Sequence, residues 1–266
     1  AAGVKVVLAT RNDALGEEAA RKLKALGHDV EYRNLDISDD ASIARFAQGL
    51  ASAYDKLDIL VNNAAVALFD NDPSPKKGQA IYTLKPNYFG TVRLTDALLP
   101  LLRKADAPRI VNVASQLGHL NILASTELKA RFLNATTIAE VDTLMTEFVH
   151  DWENEQLVEK GWGSPPYTTY SVSKVGLIAY TRVLAKLEAA NGPNKHFLIN
   201  YVCPGYCATD LNGNAGHLTA EQGARTPVLV ALWGAEEVEQ PTGKFVVNGS
   251  GDPDERKKKL PLLRMG

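Results

Sequence analysis

Val4-Lys5-Val6-Val7-Leu8-Ala9 is an apolar, β-branched run broken only by Lys5, and Arg11-Asn12-Asp13 follows it directly. Continuous rather than alternating apolarity marks a strand buried on both faces, as strands of a parallel sheet are. Asn12 or Asp13 can cap the next segment, a helix with Leu15, Ala19, Leu23 and Leu26 on its apolar face, and Gly27 ends it. The same unit then recurs. Asp29 to Leu35 reads as a strand, and Asp36 to Asp40 leads into a helix with Ile43, Phe46 and Leu50 on one face. Leu57 to Val61, Arg109 to Val113, His196 to Val202 and Lys244 to Val247 read as further strands. Helical segments separate them at about Gly78 to Lys104, which carries Pro86 and Asn87 inside it, and at Ala220 to Trp233. Strand and helix in alternation predict an α/β fold, a doubly wound parallel sheet in three α/β/α layers, Rossmann-like, in one domain spanning 1–266.

Composition sets broad limits. The 266 residues carry 29 Lys and Arg against 31 Asp and Glu, a net charge of −2, with 45% hydrophobic and 23% charged residues. This balance gives no general attraction to nucleic acid or to an anionic membrane. Cys203 and Cys207 cannot make a disulfide framework and lack the company a metal site needs. No run of 18 apolar residues is present to span a membrane. The cysteine content is compatible with a reducing compartment, and we expect a cytoplasmic protein.

In doubly wound sheets ligands bind beyond the carboxyl ends of the strands. Arg11, Asp36, Asn63, Ser115 and the Pro204-Gly205 turn each follow a predicted strand. Tyr170-Ser171-Val172-Ser173-Lys174 puts a phenol and an ammonium one helical turn apart on one face. A cation so close favours the phenolate, so Lys174 is expected to lower the pKa of Tyr170 and suit it to proton transfer. Read alone, Ser115 could equally cap its strand end, and Asn87 could patch the backbone interrupted at Pro86.

Taken together, Leu35-Asp36-Ile37, Asn62-Asn63-Ala64-Ala65, Asn87-Tyr88-Phe89-Gly90, Val111-Asn112-Val113-Ala114-Ser115, Tyr170 through Lys174, and Pro204-Gly205-Tyr206-Cys207-Ala208-Thr209 resemble the short-chain dehydrogenase/reductase family. Within it the chain is similar to the monomeric carbonyl reductase-like branch. The resemblance implies NADP(H)-dependent reduction of a ketone, aldehyde or quinone carbonyl to an alcohol. It implies a catalytic tetrad of Asn87, Ser115, Tyr170 and Lys174. Tyr170 would protonate the carbonyl oxygen and Ser115 would hydrogen-bond it, so both would touch substrate. Lys174 would tune Tyr170 and hold the nicotinamide ribose, and Asn87 would support a water linking Lys174 to solvent. Arg11 would pair with an adenosine 2′-phosphate, since no acidic residue stands at that strand end to hold a free hydroxyl. Asp36 and Ile37 would border the adenine, Asn63 the adenosine ribose, and Thr209 the nicotinamide carboxamide.

Two departures stand out. Between Ser115 and Tyr170 lie 54 residues, a longer segment than ordinary family members place there. In this insertion, about 120–165, Thr137-x-x-Glu140 reads as a capping box. It opens a stripe of Val141, Leu144, Met145, Phe148, Val149 and Trp152, expected to be core packing. By resemblance the insertion covers the face on which relatives form tetramers, which predicts a monomer. The second departure is the absence of the first strand, Gly-rich phosphate turn and helix; Ala1-Ala2-Gly3 runs straight into what would be the second strand. Without that strand, two half-sheets should face each other with unpaired edges, and the pyrophosphate should lose its helix N-terminus. We expect one strand–turn–helix unit of roughly 25 to 30 residues to be missing before Ala1. The competing expectation is a catalytically silent interaction or structural protein on the same fold. Ala65 and Ala114 are milder departures. Gln116, His119, Trp162, Tyr167, Tyr206 and Trp233 are candidate pocket residues, and the tail at about 249–266 with its basic Arg256–Lys259 run is expected to be solvated.

Overall fold

The computed structural model describes residues 3–68, 76–163, 168–194, 196–233 and 242–247; Tyr167 and the tail lie outside these. In chain order the described elements begin with β1 (Val6–Thr10), α1 (Asp13–Ala25), β2 (Val30–Asn34), α2 (Asp40–Ala53) and β3 (Ile59–Asn62). Next, α3 (Gln79–Leu84) runs through a π-helical turn (Lys85–Gly90) into α4 (Thr91–Leu102), followed by β4 (Arg109–Val113). Then come α5 (Thr126–Asn134), α6 (Ile138–Glu153), α7 (Leu157–Lys160), α8 (Thr168–Asn191), β5 (Leu198–Cys203), α9 (Ala220–Ala231) and β6 (Phe245–Val247).

All strand pairs are parallel, and side-chain alternation sorts the strands onto two helical layers. Ile110 of β4 and Ile199 of β5 face the larger core, with Leu98 of α4 and Val175 of α8. Val111, Val113 and Val202 face a second core closed by Val230 of α9 and Trp233. Helices therefore cover both faces, and β4 and β5 are buried throughout. The fold is the doubly wound α/β architecture.

The sheet is divided. β2 and β1 form one ladder and β3-β4-β5-β6 another, with no pairing between β1 and β3. The expected break is there, and it corrects the reading of β1 as a strand buried on both faces. Val4 and Val6 are 42% and 44% exposed, because a strand at a free edge has no neighbour to shelter it, and Val61 of β3 is likewise exposed. The halves are joined instead through helices: α2 packs on α4, and Ile37, Ile43 and Phe46 share a core with Leu94 and Leu98. The buried face of α1 also differs from the periodicity. Leu15 and Leu26 are exposed, while Gly16 and Ala20 are buried. The Tyr32 ring lies so close to Gly16 that a β-carbon there would sit 2.1 Å from Tyr32 Cε2, so this small-residue face is the one that docks.

The insertion is helical and packs as core. Thr137 and Glu140 form the reciprocal capping box, and Val141, Leu144, Met145, Phe148 and Trp152 are buried. α6 lies against α3 and α8, with the Met145 sulfur filling the space over Gly176, where a β-carbon would come within 2.4 Å. Tyr88 Oη donates to Asp142 Oδ1 at 2.7 Å, tying α6 to the π-helical turn. Trp162 proves to belong to this packing rather than to a substrate pocket: its indole donates to Asp151 Oδ2 at 2.7 Å and its ring meets Phe132 and Phe148 edge-on. Trp233 is likewise no pocket residue, since it sits in the α9 core with its carbonyl held by Arg109 at the start of β4, the opposite end of the strands.

Candidate active site

Five strand ends deliver the site: Arg11 follows β1, Asp36 β2, Asn63 β3, Ser115 β4, and Pro204 and Gly205 follow β5. α8 lies across β4 and β5 and brings Tyr170 and Lys174 to that edge. Ser115, Tyr170 and Lys174 meet there, and Asn87 joins α8 through Ser173. The Ser115 hydroxyl stands close enough to the Tyr170 phenol to favour its ionised form. Ser115 Oγ also accepts from Leu117 N at 3.1 Å, so the capping reading and the functional reading of this serine hold together. Lys174 Nζ stands 5.5 Å from the centroid of the Tyr170 ring and donates to the Val113 carbonyl at the end of β4, at 2.8 Å.

Asn87 occupies the π-helical turn that begins beside Pro86, where the ordinary helical ladder cannot run. Its side chain is nearly fully buried and fully oriented. Oδ1 accepts from Val66 N at 2.8 Å, and Nδ2 donates to Val66 O at 2.8 Å and to Ser173 Oγ at 3.1 Å. Both amide hydrogens are thus committed to protein, so a water serving Lys174 would need a different group of this residue.

The electrostatics correct one expectation. Tyr170 is pushed up to about 12, first by burial, with the Ser115 hydrogen bond pulling the other way and Cys203 adding to the rise. Burial outweighs the help of Lys174, whose ammonium lies over the ring and donates to the Val113 carbonyl. Burial in turn pulls Lys174 down from 10.5 to about 8. A phenol held neutral at physiological pH beside a second hydroxyl can serve as a proton donor with a partner. A carbonyl oxygen set between Ser115 and Tyr170 could accept from both.

On the nucleotide side, Arg11 and Asn63 are exposed, Thr209 is half-buried, and Ile37 turns into the core. Asp36 Oδ1 accepts from Ser38 N at 2.8 Å and Ser38 Oγ at 2.6 Å, and these bonds, with Arg11 and Lys85 nearby, hold its carboxyl below the usual range. Of the pocket candidates, Gln116 and Tyr206 are exposed, Tyr206 stands near His217, and His119 meets Phe245 edge-on. Sequence reasoning assigned no role to Ser173 or to the Val113 carbonyl; a hydroxyl three residues beyond Tyr170 was the only signal. Among the described residues no cluster of His, Cys, Asp and Glu could hold a metal, and no helix is long and apolar enough to cross a membrane.

Comparison with known proteins identifies the family. The short chain dehydrogenase family profile matches residues 1–127. Short-chain dehydrogenase/reductase 1 of Saponaria officinalis is 35% identical over 95% of this chain and 89% of its own. The NADPH carbonyl reductase 1 of Mus musculus is 37% identical over 93% of this chain and 88% of its own. Among solved structures, salutaridine reductase from Papaver somniferum superposes with a TM-score of 0.80 at 29% identity, covering 91% of this chain and 99% of that one. The menthone neomenthol reductase from Mentha piperita gives 0.73 at 30% identity, covering 92% and 90%. The chain belongs to the short-chain dehydrogenase/reductase family, in its carbonyl reductase-like branch, and it is an oxidoreductase of carbonyl compounds by class.

Proposed function

We propose that the protein reduces a small ketone, aldehyde or quinone carbonyl with NADPH, with Tyr170 as general acid. The observation that carries this reading is the meeting of a neutral Tyr170 phenol, the Ser115 hydroxyl and the Lys174 ammonium at one strand edge. When bound, the reduced nicotinamide would supply a hydride to the carbonyl carbon. The chain's own part is to fix the carbonyl oxygen between Ser115 and Tyr170 and to deliver the Tyr170 proton to it. Lys174 would hold the ribose hydroxyls beside that phenol, Asn63 the adenosine ribose, Asp36 the adenine, and Thr209 the carboxamide. NADPH consumption across a panel of cyclic ketones, aldehydes and quinones, compared with NADH, tests this; no turnover of any member sinks it.

Cofactor choice rests on Arg11. It is exposed beyond β1, near Asp36 but in none of the described ion pairs, and its guanidinium would be open to a 2′-phosphate. A charge-assisted hydrogen bond is worth about 1.5–3 kcal/mol, so Arg11→Glu should raise the KM for NADPH by about ten- to a hundredfold and leave that for NADH nearly unchanged. Equal changes for the two cofactors would overturn the assignment.

A second reading is a catalytically silent binding protein. It draws on the unpaired edges of β1 and β3 between the two ladders. Fluorescence titration with NADPH separates the two readings, since a folded protein that binds none favours the second. We also propose a monomer, because α6 of the insertion covers α8 and α3. Light scattering that gave the mass of a tetramer would count against it.

A further inference from the structure

We infer that Ser173 is a positioning residue that couples Asn87 to Tyr170. Its side chain is wholly buried, and one oxygen makes two bonds of opposite sense. Ser173 Oγ donates to the Tyr170 carbonyl at 2.6 Å and accepts from Asn87 Nδ2 at 3.1 Å. Through Asn87 the link continues to both backbone groups of Val66, just beyond β3. A single hydroxyl thus joins the loop after β3, the π-helical turn and the first turn of α8. Only a group that is donor and acceptor at once can do this.

The consequence is geometric. Tyr170 sits in the first turn of α8, where the helix has few partners of its own to hold it. The backbone bond from Ser173 fixes that turn, and the bond from Asn87 sets its distance from the π-helical turn. Without the hydroxyl, one Asn87 amide hydrogen would face a buried site with no acceptor, and Asn87 would have to rotate away from Val66 or draw the turn with it. Either movement carries Tyr170 away from Ser115. The proton donor is displaced and no reacting group is lost.

This inference rests on the reductase reading, so turnover by the unaltered protein is established first with the carbonyl panel; its absence would sink that reading, not this link. Ser173→Ala should then lower kcat about tenfold or more while the KM for NADPH stays within about threefold, and Ser173→Thr, which keeps the hydroxyl, should recover most of the loss. Because Ser173 acts through Asn87, the Asn87→Ala and Ser173→Ala losses should not multiply in the double variant. A readout without turnover is hydrogen exchange at the Asn87 side-chain amide by NMR, which should speed up in Ser173→Ala and not in Ser173→Thr. Unchanged exchange, a kcat within about twofold of the unaltered protein, or fully multiplicative losses would overturn the inference.

Discussion

Tyr170→Phe should lower kcat by about a thousandfold, the middle of the range that a positioned general acid contributes. The substitution removes one oxygen and keeps the ring over which Lys174 stands, so the local packing is retained. Ser115 keeps its bond from Leu117 N and stays in place as the remaining donor to the substrate oxygen. The loss should fall on kcat rather than on the KM for NADPH, because the phenolic proton is needed only as charge develops on oxygen. Melting curves should nearly superimpose. An unaffected rate would remove Tyr170 from the chemistry.

Lys174→Met should act in opposite directions on activity and stability. The amine is wholly buried without a carboxylate, and its folded pKa of about 8 lies below the ordinary 10.5. Each unit corresponds to about 1.4 kcal/mol, so carrying the charge at pH 7 costs the folded state about 3 kcal/mol. Losing the bond to the Val113 carbonyl returns about 1 kcal/mol of that, leaving a net gain of about 2 kcal/mol for the methionine variant. The sign with pH follows from proton binding. Below about pH 8 both states hold the proton and the penalty is complete. Between about 8 and 10.5 the unfolded state binds more protons, so the stability of the lysine protein rises with pH, and the advantage of methionine fades. Turnover should meanwhile fall by about a hundredfold or more, since a preorganised charge at the site is gone. Urea melts of both proteins from pH 7 to 10 measure the difference; a gap that widened with pH would contradict the burial account.

These two side chains also mark where reading the sequence succeeds and where it stops. The strand ends were legible because parallel strands are apolar on both faces, so the first polar residue after each run falls at the functional edge, as with Ser115. Pro86 and Asn87 announced the interruption that became the π-helical turn, and Thr137 with Glu140 announced α6. What depends on tertiary neighbours was not legible. Four residues of spacing put Lys174 near Tyr170, but not that Nζ would reach Val113 or that burial would outweigh charge. The apolar spacing of α1 pointed to Leu15 and Leu26, whereas Tyr32, from the next strand, chose Gly16. Val6 read as central and is exposed because its edge is free. Trp162 and Trp233 carry the same letter as pocket aromatics, and only their partners, Asp151 and the Arg109 contact, assign them to packing.

The central claim is that one edge of this sheet unites proton and hydride delivery to a carbonyl. The most direct measurement is isotope transfer: the protein is incubated with a cyclic ketone and NADPH carrying deuterium at both hydrogens of the nicotinamide C4, and the product is examined by mass spectrometry. The account predicts an alcohol with one deuterium on its carbinol carbon and a solvent proton on its oxygen, formed by the unaltered protein and suppressed in Tyr170→Phe. An alcohol without deuterium, or one formed equally well by both proteins, would contradict it.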